Sequence, residues 1–290
     1  MRWRGRRGSR NIEDRRGRRM IRRGGGTAGG LGGLGLVAVV LIGWLLGVDV
    51  TPLLSGGATF DSGASSIRRT ELTEAEQAQA RFVSVVLADT EEVWSDLFVE
   101  QVGQPYRPPT LVLFSDVTQS PCGGASGATG PFYCPADRKA YLDTAFFATM
   151  ERQLGAGGDF AAAYVVAHEV AHHVQNELGI LGQANAIRVQ STEERANAIS
   201  VRIELQADCL SGVWARAAQA RFGALEPGDV AEAVNAARAI GDDTLQRGAG
   251  RVPQPHTFTH GTSEQRARWF ARGFETGEIA ACDTFSAERL

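Results

Sequence analysis

Apolar positions change their spacing several times along the chain, and each change predicts a different element. From Thr27 to Val48 there is no charged residue, and Leu31 to Val48 reads LGGLGLVAVVLIGWLLGV. At about 1.5 Å of rise per residue that run is long enough to cross a hydrocarbon core of roughly 30 Å, so it predicts one transmembrane helix over 27–48. Residues 49–70 are small, polar and glycine-rich, which reads as a flexible tether. Beyond it the pattern becomes amphipathic. Thr73 and Glu76 form a capping box, and Phe82, Val85, Val86, Val93 and Leu97 keep a helical period to about Glu100. Pro108 and Pro109 punctuate, Leu111 to Phe114 reads as a buried strand, and short strands are expected at Phe132 and at Lys139 to Leu142. Asp159 can cap a helix from Phe160 to about Leu178, stopped by Gly179. Ser191 and Glu194 form a second capping box, opening a long helix through Arg202, Leu205 and Trp214 to about Phe222. Asp229 with Glu232 opens another reaching about Arg247, and Ser263 begins a last one through Trp269 and Phe270. The expected class is α+β, dominated by helices with a small sheet, in one domain over residues 71–290.

Composition leaves that picture intact, since 43% hydrophobic and 22% charged residues exclude wholesale disorder. Charge changes it. Eleven arginines precede Gly24 against only Glu13 and Asp14, so this segment carries about +9 and the rest of the chain about −12. Arginines before the apolar run, with Asp49 the first charge after it, place residues 1–26 as a basic cytoplasmic tail and the body outside, by the positive-inside rule. The expectation is therefore a single-pass protein of the cell membrane with an extracytoplasmic catalytic domain. A cleaved signal peptide would have a shorter apolar core followed by an A-x-A-like site, and none follows here. An arginine arm for nucleic acid would explain the charge, but the adjacent span already does, so no nucleic-acid partner is expected.

The four cysteines, Cys122, Cys134, Cys209 and Cys282, include no C-x-x-C pair, which argues against a four-cysteine zinc site. In an extracytoplasmic body an even count points to two disulfides, with the short loop from Cys122 to Cys134 as the natural first and Cys209 left with Cys282; four buried thiols are the alternative.

The helix after Asp159 contains His168-Glu169-Val170-Ala171-His172, the H-E-x-x-H pattern. Residues four apart lie one above the other on a helix, so both imidazoles can reach one cation while Glu169, about 100° round, reaches beside it. A catalytic zinc site takes three protein ligands. The long helix opened by Ser191 offers Glu204 as the third, with Asp208 one turn beyond placed to accept the outward N–H of a ligating histidine. His260 is the alternative third ligand. His256 and His260 lie in PHTFTHGTS, where either could contact substrate or an oxyanion or serve structure alone, and His173 points about 100° away from His172 and reads as a packing residue or a support behind the ligands. The implied chemistry is hydrolysis of peptide bonds by a zinc-activated water, with Glu169 as general base and one zinc ion as cofactor. No serine triad, phosphate loop or dinucleotide fingerprint competes.

On these residues the chain resembles the bacterial neutral zinc metallopeptidase family, membrane-anchored proteins of zincin-like type. The matching stretches are GPFYCPADRKAYLDTAFF (130–147), VVAHEVAHHVQ (165–175), ELQADCLSGVW (204–214) and FTHGTSEQRARWFARGFETG (258–277). The resemblance implies a zincin-like fold in which the H-E-x-x-H helix packs under a small sheet, His168, His172 and Glu204 hold zinc, and Glu169 is the base. It implies a protein or peptide substrate without naming one. Two other readings stand beside it: a catalytically idle zincin that binds a partner at the membrane, and a zinc amidase acting on a non-protein amide.

Overall fold

The computed structural model describes residues 1–19, 68–69, 71–126 and 130–290. The apolar run 27–48 and nearly all of the tether 49–70 lie outside the described residues; among those described, no helix is long and apolar enough to cross a membrane. The fold is α+β, with helices predominating over small sheets.

Both halves of the first capping box form. Thr73 Oγ1 accepts the Glu76 N–H and the Glu76 carboxylate accepts the Thr73 N–H, opening α1 (Glu74–Leu97). Its buried stripe includes Phe82, Val83, Val86, Val93 and Trp94, and the helix runs on into a π-helical turn, Phe98–Val102, before Gly103. The main sheet has four strands in the order β1 (Ile12–Asp14), β4 (Thr110–Phe114), β8 (Lys139–Asp143), β7 (Phe132–Cys134). Strands β1 and β8 run parallel to β4, and β7 runs antiparallel to β8. Alternation along β4 divides its side chains: Leu111 and Leu113 join the main helical core, whereas Val112 and Phe114 pack with Tyr141 and Cys134 on the other face. Strands β5 (Val117–Ser120) and β6 (Gly123–Ser126) form a separate hairpin around Cys122.

Six helices follow α2 (Ala145–Leu154): α3 (Asp159–Glu177), α4 (Ile180–Val189), α5 (Glu193–Phe222), α6 (Asp229–Ala239), α7 (Asp242–Gly248) and α8 (Ser263–Thr276). Helices α5 and α8 cross in backbone contact. A Cβ on Gly273 would come within 1.8 Å of the Cys209 carbonyl oxygen, and one on Gly212 within 2.1 Å of the Phe270 carbonyl oxygen. Both expected disulfides are present, Cys122–Cys134 and Cys209–Cys282, the second tying the C-terminal segment to α5.

Several expectations need correction. Residues 1–19 are no detached tail: they are part of the folded body. Asn11 accepts the Leu111 N–H, β1 forms the sheet edge, and Trp3 meets Phe82 edge-on at 5.4 Å. The Met1 ammonium sits among Asp159, Glu226 and Asp229, and Arg6, Arg7 and Arg16 pair with Asp89, Glu92 and Asp14. Part of the basic segment's charge is thus met by acids of the body, Arg6 by Asp89 and Arg7 by Glu92, which a count of charges by segment does not reveal. The short β2 (Arg18–Arg19) pairs antiparallel with β3 (Arg68–Arg69), Arg19 opposite Arg68. Thr192, not Ser191, caps α5, because the Ser191 hydroxyl is donating back to the Ile187 carbonyl at the end of α4. Asp159 is the first residue of α3 and does not cap it. Glu232 reaches across from α6 to accept the Phe160 N–H at 3.0 Å. Finally, the helix expected from Asp229 to Arg247 is broken between Ala239 and Asp242, where Gly241 lies against Ser263 so closely that a Cβ would approach its nitrogen to 2.4 Å.

Candidate active site

Helix α3 is buried over almost its whole length, because α5, α6 and α1 pack on it and α4 follows it directly. His168, Glu169 and His172 therefore lie on a helix without a free solvent face. Opposite them α5 presents Glu204. Its Oε2 is 3.1 Å from His168 Nε2 and its Oε1 is 3.6 Å from His172 Nε2. One ligand atom from each of the three side chains falls within 4.8 Å of the other two, a spacing that suits one cation.

The hydrogen bonds behind the histidines decide which nitrogen each presents. Gln175 donates its amide to the Ile203 carbonyl (2.8 Å) and to Gln206 Oε1 (3.0 Å), so its own Oε1 is left to accept from His172 Nδ1 at 2.8 Å. The proton is thereby held on Nδ1, and the Nε2 lone pair faces Glu204. His168 Nδ1 lies 3.0 Å from Asp208 Oδ1, close enough for charge pairing although out of line for a well-formed N–H···O bond. Asp208 is fully buried and doubly held by Arg266, Nε to Oδ2 at 2.8 Å and Nη2 to Oδ1 at 2.9 Å, with the Tyr164 hydroxyl donating to Oδ1 at 2.5 Å. A bidentate guanidinium keeps this carboxylate ionised beside the imidazole. Two imidazoles and a carboxylate converging at ligand distance, with outward nitrogens backed by acceptors, fit zinc as a donor set.

The electrostatics separate the two glutamates. Burial pushes the Glu169 carboxyl up to about 7, the His168 charge opposing and the Glu204 charge reinforcing the rise. Glu204 is half-buried, and although burial raises its carboxyl, the charges of His172, His168 and His260 with the His168 hydrogen bond outweigh it and hold the group well below the usual carboxylate range. One carboxyl is therefore suited to carrying a proton and the other to staying ionised.

Of the two loop histidines, only His260 faces this centre. Asp242, at the start of α7, accepts three successive backbone N–H groups on Oδ2, from Thr259 (2.8 Å), His260 (2.6 Å) and Gly261 (3.0 Å), while Oδ1 meets His260 Nδ1 at 3.2 Å. Gly261 rests on α5: a Cβ there would touch Val201 and Leu205 at 3.2 Å, the residues on either side of Glu204 along that face. His260 is close enough for its charge to be felt at both Glu204 and Glu169. His256 lies elsewhere, with Glu194, Ala198 and Arg202 around a hollow that none of the three clustered ligands lines. His173 is a structural residue, bonded through Nδ1 to the Tyr133 hydroxyl (2.9 Å) and through Nε2 to the Arg107 carbonyl (2.6 Å). Gln175, Tyr164, Asp242 and Arg266 escape a reading by spacing. Gln175 and Tyr164 carried a local signal, since Gln175 follows His172 by three residues and Tyr164 precedes His168 by four on the same helix.

Comparison with known proteins gives a family match over nearly the whole chain: the family described as "Putative neutral zinc metallopeptidase" matches residues 1–285. The chain is 48% identical to the uncharacterized protein YpfJ of Escherichia coli strain K12, over 98% of this chain and 99% of that one. It is 46% identical to the uncharacterized protein Rv2575 of Mycobacterium tuberculosis strain H37Rv, over 66% of this chain and 69% of that one. No solved structure gives a significant match.

Proposed function

This chain belongs to the neutral zinc metallopeptidase family, and from that premise we propose that it hydrolyses peptide bonds at a single zinc ion held by His168, His172 and Glu204. The observation that carries the reading is the convergence of those three ligand atoms within 4.8 Å beside a buried Glu169. When bound, zinc supplies Lewis acidity that polarises a carbonyl and makes water a competent nucleophile near neutral pH. The chain's own groups do the rest. Glu169 accepts a proton from the attacking water and returns it to the leaving amine nitrogen, and a carboxyl raised towards neutrality is matched to both transfers. His260, pinned through Nδ1 by Asp242 and near enough for its charge to act on Glu169 and Glu204, is the donor for the developing oxyanion. Asp208, locked by Arg266, orients His168. The helix of H-E-x-x-H beside a small sheet, with the distal glutamate on a following helix, supports a zincin-like assignment. Two disulfides support a body outside the reducing cytoplasm, and the apolar run 27–48 supports a membrane association.

The test is zinc stoichiometry and turnover of a general protein substrate by the full-length chain, compared with Glu204→Gln and Glu169→Gln. Wild type should bind one zinc and cleave, Glu204→Gln should lose zinc, and Glu169→Gln should keep zinc while turnover falls by about 10²–10⁴. A wild-type chain that takes up no zinc would remove the assignment altogether.

A further inference from the structure

We infer that residues 1–19 and the body carrying the metal site occupy the same side of any membrane this protein meets. The inference rests on packing and is independent of the zinc reading.

Its first support is that the N-terminal segment cannot be removed from the body without opening it. Strand β1 pairs with β4 in register, Ile12 opposite Leu111 and Asp14 opposite Leu113, and the Arg15 N–H continues the ladder to the Leu113 carbonyl at 2.7 Å. The Arg2 N–H donates to the Ala224 carbonyl at 2.7 Å, beyond the end of α5, and the Ser9 N–H donates to the Ser84 carbonyl at 2.9 Å on α1. Backbone bonds to three separate parts of the body, with Met1 buried in the main core, describe an integral element. The segment's exit and the chain's return are also neighbours, since Arg19 pairs with Arg68.

The second support is parity. A chain that crosses a bilayer once leaves its two flanks on opposite sides, and here both flanks belong to one folded body. Only zero or an even number of crossings is compatible. Two helical crossings need about 40 apolar residues. Between Arg23 and Arg68 the uncharged run through Val48 is followed by Asp49, and the next uncharged stretch, 50–60, is about half of what a second helix requires.

Two measurements on the full-length chain in native membranes test this. A Cβ on Gly8 would stand 3.4 Å from Ser84 Cβ, within reach of a disulfide. The Gly8→Cys/Ser84→Cys double variant should therefore form a cross-link within one chain under mild oxidation, seen as a mobility shift reversed by reductant and absent from each single variant. A cross-link that forms only between chains would overturn the inference, as would none at all in a chain that melts like wild type. Because the four native cysteines are paired, single cysteines at exposed Arg10 and at Glu264 can be labelled selectively. In intact cells Arg10→Cys and Glu264→Cys should react alike with a membrane-impermeant maleimide, both labelled or both protected. Opposite accessibility would overturn the inference even if the cross-linking variant failed to fold.

Discussion

Gln175 holds His172 through a carbonyl oxygen that is free to accept only because its amide is engaged by Ile203 and Gln206. Removing that acceptor frees the imidazole to rotate and to exchange tautomers, so Gln175→Leu should weaken zinc binding about 10- to 100-fold in a chelator competition. His260 gives a contrasting expectation. If it donates to the oxyanion, His260→Ala should lower kcat by about 10²–10³ with zinc content unchanged, and Asp242→Asn should move kcat in the same direction by loosening the loop that presents it. Loss of zinc from His260→Ala would instead make His260 the third ligand. At this scale the sequence is legible where one helix carries the pattern. His168, Glu169 and His172 follow from a spacing of four, and Glu204 with Asp208 from a second. Arg266 and Asp242 are not legible, because each earns its place through a contact from a separate helix or loop: Arg266 meets Asp208 from α8, and Asp242 holds a loop that follows it by some eighteen residues.

Among the elements, β1 is where acid should act. Glu13 receives Arg15 Nε at 2.8 Å and Lys139 Nζ at 2.7 Å, and these donors hold its carboxyl at about 2, below its ordinary value near 4.5. A carboxyl depressed on folding stabilises the fold above its unfolded pKa and loses that contribution as pH falls through the folded one. The stability difference between wild type and Glu13→Gln should therefore be full above about pH 4.5 and shrink towards pH 2, read from thermal melts across that window. Glu13 is partly exposed, so the difference is modest and should also shrink with salt. Helices were readable because their caps are local: Thr73 with Glu76 needs only three residues of context. Strand β1 was hidden because three residues, Ile-Glu-Asp, have no alternation to read, and only the distant Leu111 makes them a strand. The break at Gly241 was hidden for a similar reason, since Ser263 supplies the crowding that turns the chain there.

For the molecule as a whole, the basic N-terminal segment and the acidic remainder meet in the fold, which brings Arg6, Arg7 and Met1 onto Asp89, Glu92 and Asp159. A chain trimmed to residues 71–290 would leave Asp89 and Asp159 without these partners, Glu92 keeping only Arg221, and would expose the edge of β4. It should melt at lower temperature than the full-length chain and be more prone to associate through that edge, measured by calorimetry and light scattering. The boundary at residue 71 is thus a change in composition and not a boundary of the fold. The parallel pairing of β1 with β4 also sets a schedule for synthesis. Ile12 leaves the ribosome about a hundred residues before Leu111, an interval on the order of 5–20 s at bacterial rates of elongation. Throughout it the first strand has no template, while the apolar run that follows has already emerged beside the translating ribosome.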